Sequence, residues 1–154
     1  MQLEYLLSYR AVIGSSLSIG ASPAAGDRSI ARVTGGTFEG PGLKGTIVEP
    51  GADWVRRTSD GFGQVDVRLI FATDDDAHIY VTYTGLLEFS DKVMQTLASG
   101  AEMQFGDSYF ATQIRFETGS DKYAYLNNTL AVGEGRLLGN EVEYRCYRLI
   151  PGGA

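Results

Sequence analysis

Hydrophobic and polar residues alternate with a period of two along most of this chain. In QVDVRLIFAT the alternation places four apolar side chains on one face of an extended segment, namely Val65, Val67, Leu69 and Phe71. The segment HIYVTYTG repeats the pattern with β-branched and aromatic residues, which favour strands. The intervening TDDDA is typical of a tight turn. Residues 64–73 and 78–84 are therefore predicted to form an antiparallel hairpin.

The same alternation predicts six further strands, near residues 3–13, 29–38, 43–49, 108–117, 128–134 and 139–149. Eight short strands separated by Gly- and Asp-rich turns predict an all-β fold, either a barrel or a sandwich. An eight-stranded antiparallel β-barrel is favoured because closure removes exposed strand edges. The length of 154 residues fits a single barrel domain over residues 1–154.

Two segments depart from the period of two and are predicted to be helical. In SDKVMQTLASG, residues 90–100, Ser90 is a helix cap, apolar residues follow at helical spacing, and Gly100 is a stop signal. This short helix is expected to plug or cover one end of the barrel. Residues 120–128 are expected to form a helical turn or an ordered loop. The small, polar segment 15–29 is expected to be a flexible connection, or a lid over the barrel mouth.

Composition restricts the class of function. The net charge is −6 and no stripe of Lys and Arg is present, which argues against nucleic-acid binding. No apolar run approaches the roughly 20 residues of a membrane span, so no membrane association is expected. The N-terminus does not resemble a secretory signal. The single cysteine, Cys146, indicates a reducing compartment, and we expect a cytoplasmic location.

Few residue types suited to metal or cofactor binding are available. One histidine and one cysteine cannot build a histidine or thiolate metal site. The Gly-rich stretch GTFEGPGLKG does not end in the Gly-Lys-Ser/Thr of a phosphate-binding loop, and it continues into a strand. We therefore expect no metal and no cofactor.

The stretch FEGPGLKGTIVEPGADW, residues 38–54, contains two Gly- and Pro-rich bends followed by a carboxylate and the only tryptophan. Asp53 and Trp54 are predicted to lie just past the second bend, where a strand meets a loop at the barrel mouth. An apolar wall formed by Trp54 would desolvate Asp53 and raise its pKa toward neutrality, where a carboxyl works best as an acid or base. Alternatively, Trp54 plugs the core and Asp53 caps the turn.

A second candidate region is YFATQIRFETGSDKYAYLNN, residues 109–128. Glu117 is predicted to be the last strand residue before a loop that carries Tyr123, Tyr125 and Asn127. Tyrosine hydroxyls and a carboxamide can hold a carbonyl or enolate oxygen and stabilise developing negative charge. The alternative is that the aromatic residues pack the loop and Asn127 bonds to the backbone.

The direction of Arg68 is ambiguous in the sequence. Arg68 and Asp66 share one face of their strand, and the competing face is apolar. Inside a barrel, the arginine would need a carboxylate or an anionic ligand, whereas outside it would form an ordinary surface pair. Patterning alone favours the outward direction.

Three stretches together resemble domain-of-unknown-function family 3237: GGTFEGPGLKGTIVEPGADW, DVRLIFATDDDAHIYV and YFATQIRFETGSDKYAYLNN. The resemblance covers residues 30 to 149 and implies an eight-stranded barrel similar to allene oxide cyclase and lipocalin-like barrels. It also implies that a shared pocket is lined by Asp53, Trp54, Arg68 and Asn127. The chain departs from the family pattern at Asp76, where a glycine is usual, and at Tyr125, where a tryptophan is common.

These residues favour an enzyme that needs no cofactor and acts on a small, mostly apolar, oxygenated molecule, such as an aromatic or polyketide-like metabolite. The expected chemistry is a cyclisation, isomerisation or lyase step. The predicted catalytic residues are Asp53, Glu117 and Tyr125. The predicted substrate-binding residues are Trp54, Arg68, Tyr123, Asn127 and Phe38.

Two alternatives to an enzyme stay open at this point. One is a lipocalin-like barrel that binds a small molecule without transforming it, and the other is a structural barrel filled with its own side chains. A carboxyl inside the barrel with its pKa raised toward neutrality would favour the enzyme, because a binding protein has no use for it. A homodimer or a larger symmetric oligomer is expected on general grounds.

Overall fold

The computed structural model describes residues 1–152 and shows eight antiparallel strands closed into a barrel in chain order. The strands are β1 Gln2–Ser22, β2 Gly26–Gly40, β3 Leu43–Arg57, β4 Phe62–Thr73, β5 His78–Glu88, β6 Phe110–Glu117, β7 Ala131–Leu138 and β8 Glu141–Ile150. Pairing of β1 with β8 completes the ring. The predicted all-β class and the eight-stranded antiparallel barrel are confirmed.

Both predicted helical segments are present. Helix α1, Asp91–Ser99, begins after Ser90, whose side chain accepts a hydrogen bond from the Val93 N–H. It ends at Gly100 in the left-handed conformation, and it buries Val93 in the core. A 3₁₀ turn, Ala124–Asn128, connects β6 to β7. Within residues 1–152, no helix has the length and apolar character needed to cross a membrane.

The expectation of a flexible connection or lid over residues 15–29 is wrong. Strand β1 continues to Ser22 and β2 starts at Gly26, so this segment is the tip of a long β-hairpin. Small residues such as Ser and Gly have low strand propensity, but pairing with β2 supplies the backbone hydrogen bonds. Strand β8 pairs with β1 only as far as Val12. Within the described part of the chain, the outer edge of β1 from Gly14 to Ser22 therefore has no neighbouring strand.

The barrel interior is largely filled by side chains. Phe38 stacks on Phe71 with their ring centroids 4.2 Å apart, so Phe38, a predicted substrate contact, is a core residue. Glycine makes room for other rings. A Cβ at Gly135 would lie 2.8 Å from the Phe110 ring and 3.0 Å from the Tyr144 ring. Any polar group in the interior is therefore surrounded by apolar and aromatic side chains.

Strand β3 continues through the second predicted bend. The Pro50–Gly51 pair lies in a bulge, where the register against β4 shifts between Val48 and Ala52. A bulge accommodates extra residues without ending the strand. Asp53 and Trp54 therefore lie within β3, and the expectation that they stand where a strand meets a mouth loop is wrong.

Candidate functional site

The carboxyl group of Asp53 faces the barrel interior. Asp53 lies opposite Val67, a buried residue of β4, and directly opposed residues in antiparallel strands share a face. Its Oδ1 atom accepts a hydrogen bond of 3.0 Å from the backbone N–H of Asp66. Burial raises the pKa of Asp53 to about 6, and the Asp66 carboxylate adds to this rise, whereas the Asp66 N–H and Arg28 oppose it.

Three buried tyrosines form a cluster in the interior beside Asp53. Their ring centroids are 5.8 Å apart for Tyr9 and Tyr83, 4.8 Å for Tyr9 and Tyr144, and 5.1 Å for Tyr83 and Tyr144. Burial, then the neighbouring phenols and the Asp53 carboxylate, raise the pKa values of Tyr83 and Tyr144. Hydroxyl donors therefore lie close to an interior carboxyl of raised pKa.

The tyrosine cluster was not among the sequence predictions. Tyr9 lies between Leu7 and Ala11 on the buried face of β1, and Tyr83 shares the buried face of β5 with Val81. A tyrosine in phase with a core face places a polar hydroxyl in the interior, and this signal could have identified both residues. That Tyr83 lies near Asp53 could not be predicted, because this proximity depends on strand register.

Trp54 faces away from Asp53, since neighbouring strand residues point to opposite faces. The Arg68 guanidinium lies over the Trp54 ring, 5.3 Å from its centroid, and Arg68 is exposed. Both side chains lie on the outer wall of the barrel. The structure therefore brings Trp54 and Arg68 together, but it does not place them in a pocket with the Asp53 carboxyl.

A groove of about 520 Å³ crosses this outer wall, and we call it the outer groove. Its lining includes Asp66, Arg68, Thr82, Arg115, Leu130 and Val132. A second groove of about 520 Å³ shares Thr82 and Arg115 and extends to Glu117 and Asn127. Two further predicted site residues, Glu117 and Asn127, thus lie on the outer wall near Arg68.

Asn127 uses its side chain to attach the 3₁₀ turn to the end of β6. Its Oδ1 accepts a 2.7 Å hydrogen bond from the Thr118 N–H, and its Nδ2 donates a 3.0 Å bond to the Thr118 carbonyl. This geometry matches the alternative in which Asn127 bonds to the backbone. Glu117 ends β6, as predicted, and its side chain is exposed.

Tyr123 and Tyr125 lie at the barrel end that carries the β4–β5 turn. The Tyr123 ring is buried, and its hydroxyl donates to the Asp75 carboxylate at 2.8 Å. Lys122 also bonds to Asp75, at 2.6 Å, and Lys122 together with other donors holds the pKa of Asp75 well below its usual range. Tyr125 is 44% exposed, whereas the Tyr123 side chain is buried. The two tyrosines therefore face different surroundings.

Residues 1–152 contain no group of three or more His, Cys, Asp and Glu side chains arranged to hold a metal ion. The single cysteine, Cys146, lies in the core. Burial raises the pKa of its thiol well above the usual range, which disfavours the reactive thiolate form. The chemistry that this arrangement can perform is acid–base chemistry at Asp53 and anion binding at exposed arginines.

Solved structures support both the fold and a link to an enzyme. A β-barrel-like protein from Acinetobacter baumannii is 39% identical, with a TM-score of 0.83 and coverage of 97% of this chain and 96% of that one. An enzyme from Penicillium herquei is 26% identical, with a TM-score of 0.70 and coverage of 95% and 93%.

Comparison of sequences adds a named activity in a distant relative. The hydroalkoxylation enzyme phnH of Penicillium herquei is 27% identical over 145 residues, which are 94% of this chain and 80% of that protein. The family model described as "protein of unknown function (DUF3237)" matches residues 1–149. The chain therefore belongs to the DUF3237 family, as the sequence motifs had indicated.

Proposed function

We propose that this protein is an enzyme that transforms a small oxygenated organic molecule by proton transfer, with Asp53 as the acid and base. The observation that carries the proposal is an interior carboxyl whose pKa is raised to about 6. Such a group is populated in both protonation states near neutral pH, so it can accept a proton and return it. A protein that only binds a small molecule has no use for this shift.

The relative from Penicillium herquei suggests the class of reaction. Hydroalkoxylation adds the O–H of a hydroxyl group across a C=C double bond. Within one molecule the addition is a cyclisation, and its reverse is an elimination of the lyase type. A cyclisation and a lyase step are both among the reactions expected from the sequence. We propose a phenol that carries an alkenyl side chain as the substrate class.

In this scheme the rings packed beside Asp53 must move apart to admit the phenol, because side chains fill the barrel interior. Asp53 then takes the phenol proton while the oxygen attacks the alkene, and the protonated carboxyl returns a proton to the adjacent carbon. The atoms balance without an oxidant or a reductant. The hydroxyls of Tyr83 and Tyr144 can donate to the phenolate oxygen as its charge develops. Glu117 and Tyr125 lie away from this cluster, and the scheme assigns them no proton transfer.

Incubation with a panel of 2-alkenylphenols in D₂O tests the proposal. We expect conversion to cyclic ethers of the same composition, with one deuterium at the carbon that receives the proton, detected by mass spectrometry and NMR. Enzyme inactivated by heat is the control for spontaneous cyclisation. Saturable binding of these phenols without any cyclisation would instead support the lipocalin-like alternative, and no binding would support a structural barrel.

We also propose that the protein forms a homodimer through the outer edge of β1. An unpaired strand edge is a template for pairing with another chain. Residues 11–25 carry no charged side chain, and Leu17 and Ile19 are 66% and 62% exposed, so two copies can pair without charge repulsion.

Light scattering coupled to size-exclusion chromatography measures this association. Wild type is expected to have the mass of two chains, and Leu17→Lys the mass of one, because a charge at the edge opposes pairing. Leu97→Lys is the matched control, since Leu97 is 54% exposed and belongs to α1, not to the edge of β1. A monomeric wild-type protein would contradict the proposal.

A further inference from the structure

Two arginines of the outer groove have no acidic partner. Arg68 lies opposite Thr82, and Thr82 lies opposite Arg115, so the three residues form one row across β4, β5 and β6. Adjacent strands are about 4.8 Å apart, which puts the two arginine Cα atoms about 10 Å apart. Within residues 1–152, the side chains of Arg68 and Arg115 form no hydrogen bond and no ion pair. The Arg68 guanidinium makes a cation–π contact with the Trp54 ring.

Within residues 1–152, the side chains of all the other arginines form hydrogen bonds or ion pairs. Arg28, Arg56 and Arg57 donate to the Trp54 carbonyl, the Gln64 amide oxygen and the Met94 sulfur. Five other arginines form ion pairs with glutamates: Arg10, Arg32, Arg136, Arg145 and Arg148. The carboxylate that lines the outer groove, Asp66, lies in the next row of the sheet and forms no ion pair within the described residues. The groove therefore holds two guanidinium groups and one carboxylate, a local positive excess in a protein of net charge −6.

The other side of the groove is apolar. Leu130 is 55% exposed there, and Val132 and Leu149 also line it. Apolar side chains next to fixed polar groups are the usual composition of small-molecule sites. A ligand that fits both the arginine side and the apolar side of the groove has an anionic head and a hydrocarbon body.

We propose that the outer groove binds an organic carboxylate with an apolar body. Arg68 and Arg115 donate to the carboxylate from its two sides, and the Thr82 hydroxyl between them donates as well. The body packs on Leu130 and Val132. Trp54 keeps the Arg68 guanidinium in place through the cation–π contact. The site lies on the opposite face of the sheet from the Asp53 carboxyl and does not depend on the proposed enzyme activity.

Calorimetric titration with 1-naphthoate tests the proposal, with methyl 1-naphthoate as the uncharged analogue and acetate as the head without a body. We expect naphthoate to bind, and the ester and acetate to bind at least about tenfold more weakly. The ester lacks the charged carboxylate that the arginines bind, and acetate lacks the apolar body. Arg115→Gln is expected to weaken naphthoate binding about tenfold or more. Lys92→Gln, which removes one positive charge from exposed α1, is expected to bind like wild type.

The proposal is overturned if wild type does not bind naphthoate, if the ester binds as well as the acid, or if Arg115→Gln binds like Lys92→Gln. Because Arg115 is exposed and unpaired, thermal unfolding of its variant is expected to match wild type. Backbone amide NMR shifts of the wild-type protein on addition of 1-naphthoate locate the bound ligand without the use of any variant. Shifts confined to the backbone amides that line the outer groove, including Arg68, Thr82, Arg115, Leu130 and Val132, support the proposal, and shifts elsewhere contradict it.

Discussion

Asp53→Asn is expected to stabilise the protein at pH 8 by up to about 3 kcal/mol, with little change at pH 4. The pKa of Asp53 is raised to about 6 by burial, about two units above the value of about 3.9 in an unfolded chain, and each unit is worth about 1.4 kcal/mol. The folded state therefore holds this proton more tightly, and wild-type stability falls as the pH rises from about 4 to about 6. The asparagine carries no charge to desolvate, and its carbonyl can still accept the Asp66 N–H.

Urea denaturation of wild type and Asp53→Asn across pH 4 to 8 measures the effect. Asp121→Asn is the matched control because Asp121 is exposed, and its stability is expected to follow wild type throughout. Destabilisation of Asp53→Asn by about 0.5–2 kcal/mol at every pH would show that Asp53 acts mainly as a cap for the β4 backbone. That result would remove the main support for an acid–base role.

The same variant is expected to lose proton-transfer activity about 10²–10⁴-fold, the usual contribution of a general acid or base. The comparison applies to any alkenylphenol that the wild type cyclises. A variant that is more stable but less active than wild type is the expected result if the Asp53 carboxyl serves function and lowers the stability of the fold. Unchanged turnover in Asp53→Asn would refute the assignment of Asp53 even if cyclisation itself is observed.

Gly36→Ala is expected to destabilise the protein by about 4 kcal/mol or more, or to prevent folding. Gly36 has a φ of +139°, which L-residues with side chains rarely adopt. A Cβ at this position would lie 1.9 Å from the carbonyl oxygen of Arg10 in β1, and backbone atoms cannot move aside without disrupting the barrel wall.

Gly35→Ala is the matched control, one residue away on the same strand. A Cβ at Gly35 meets nothing within 4 Å, so we expect a change of about 1 kcal/mol or less. Urea denaturation of the two variants gives the comparison, and the soluble yield indicates whether Gly36→Ala folds. Equal stabilities would mean that β1 and β2 can separate locally at low cost.

Local patterns were sufficient to predict the elements of this fold. The apolar face of β4, from Val65 to Phe71, is buried as the period of two indicates, and Arg68 points outward as patterning favours. Ser90 and Gly100 bound α1 because capping depends on residues within one turn of the helix. Glu117 was correctly placed at the end of β6 for the same reason, since the signal lies in the adjacent residues.

The candidate site depended on register, which no local pattern carries. The bulge in β3 keeps Asp53 within the strand, and the pleat then directs it inward and Trp54 outward. The sequence signalled that Asp53 was a candidate acid. Only the closed barrel placed Tyr83 and Tyr144, from strands remote in the chain, beside it.

The sequence thus determined the number and kind of the secondary-structure elements and the limits of α1, because alternation and capping act over a few neighbouring positions. The tertiary structure decided that segment 15–29 is a hairpin, that Arg68 and Arg115 lie in one row, and that Asp53 is desolvated. Each of these follows from contacts between strands far apart in the chain. Their geometry is set when the barrel closes and not by the residues on either side.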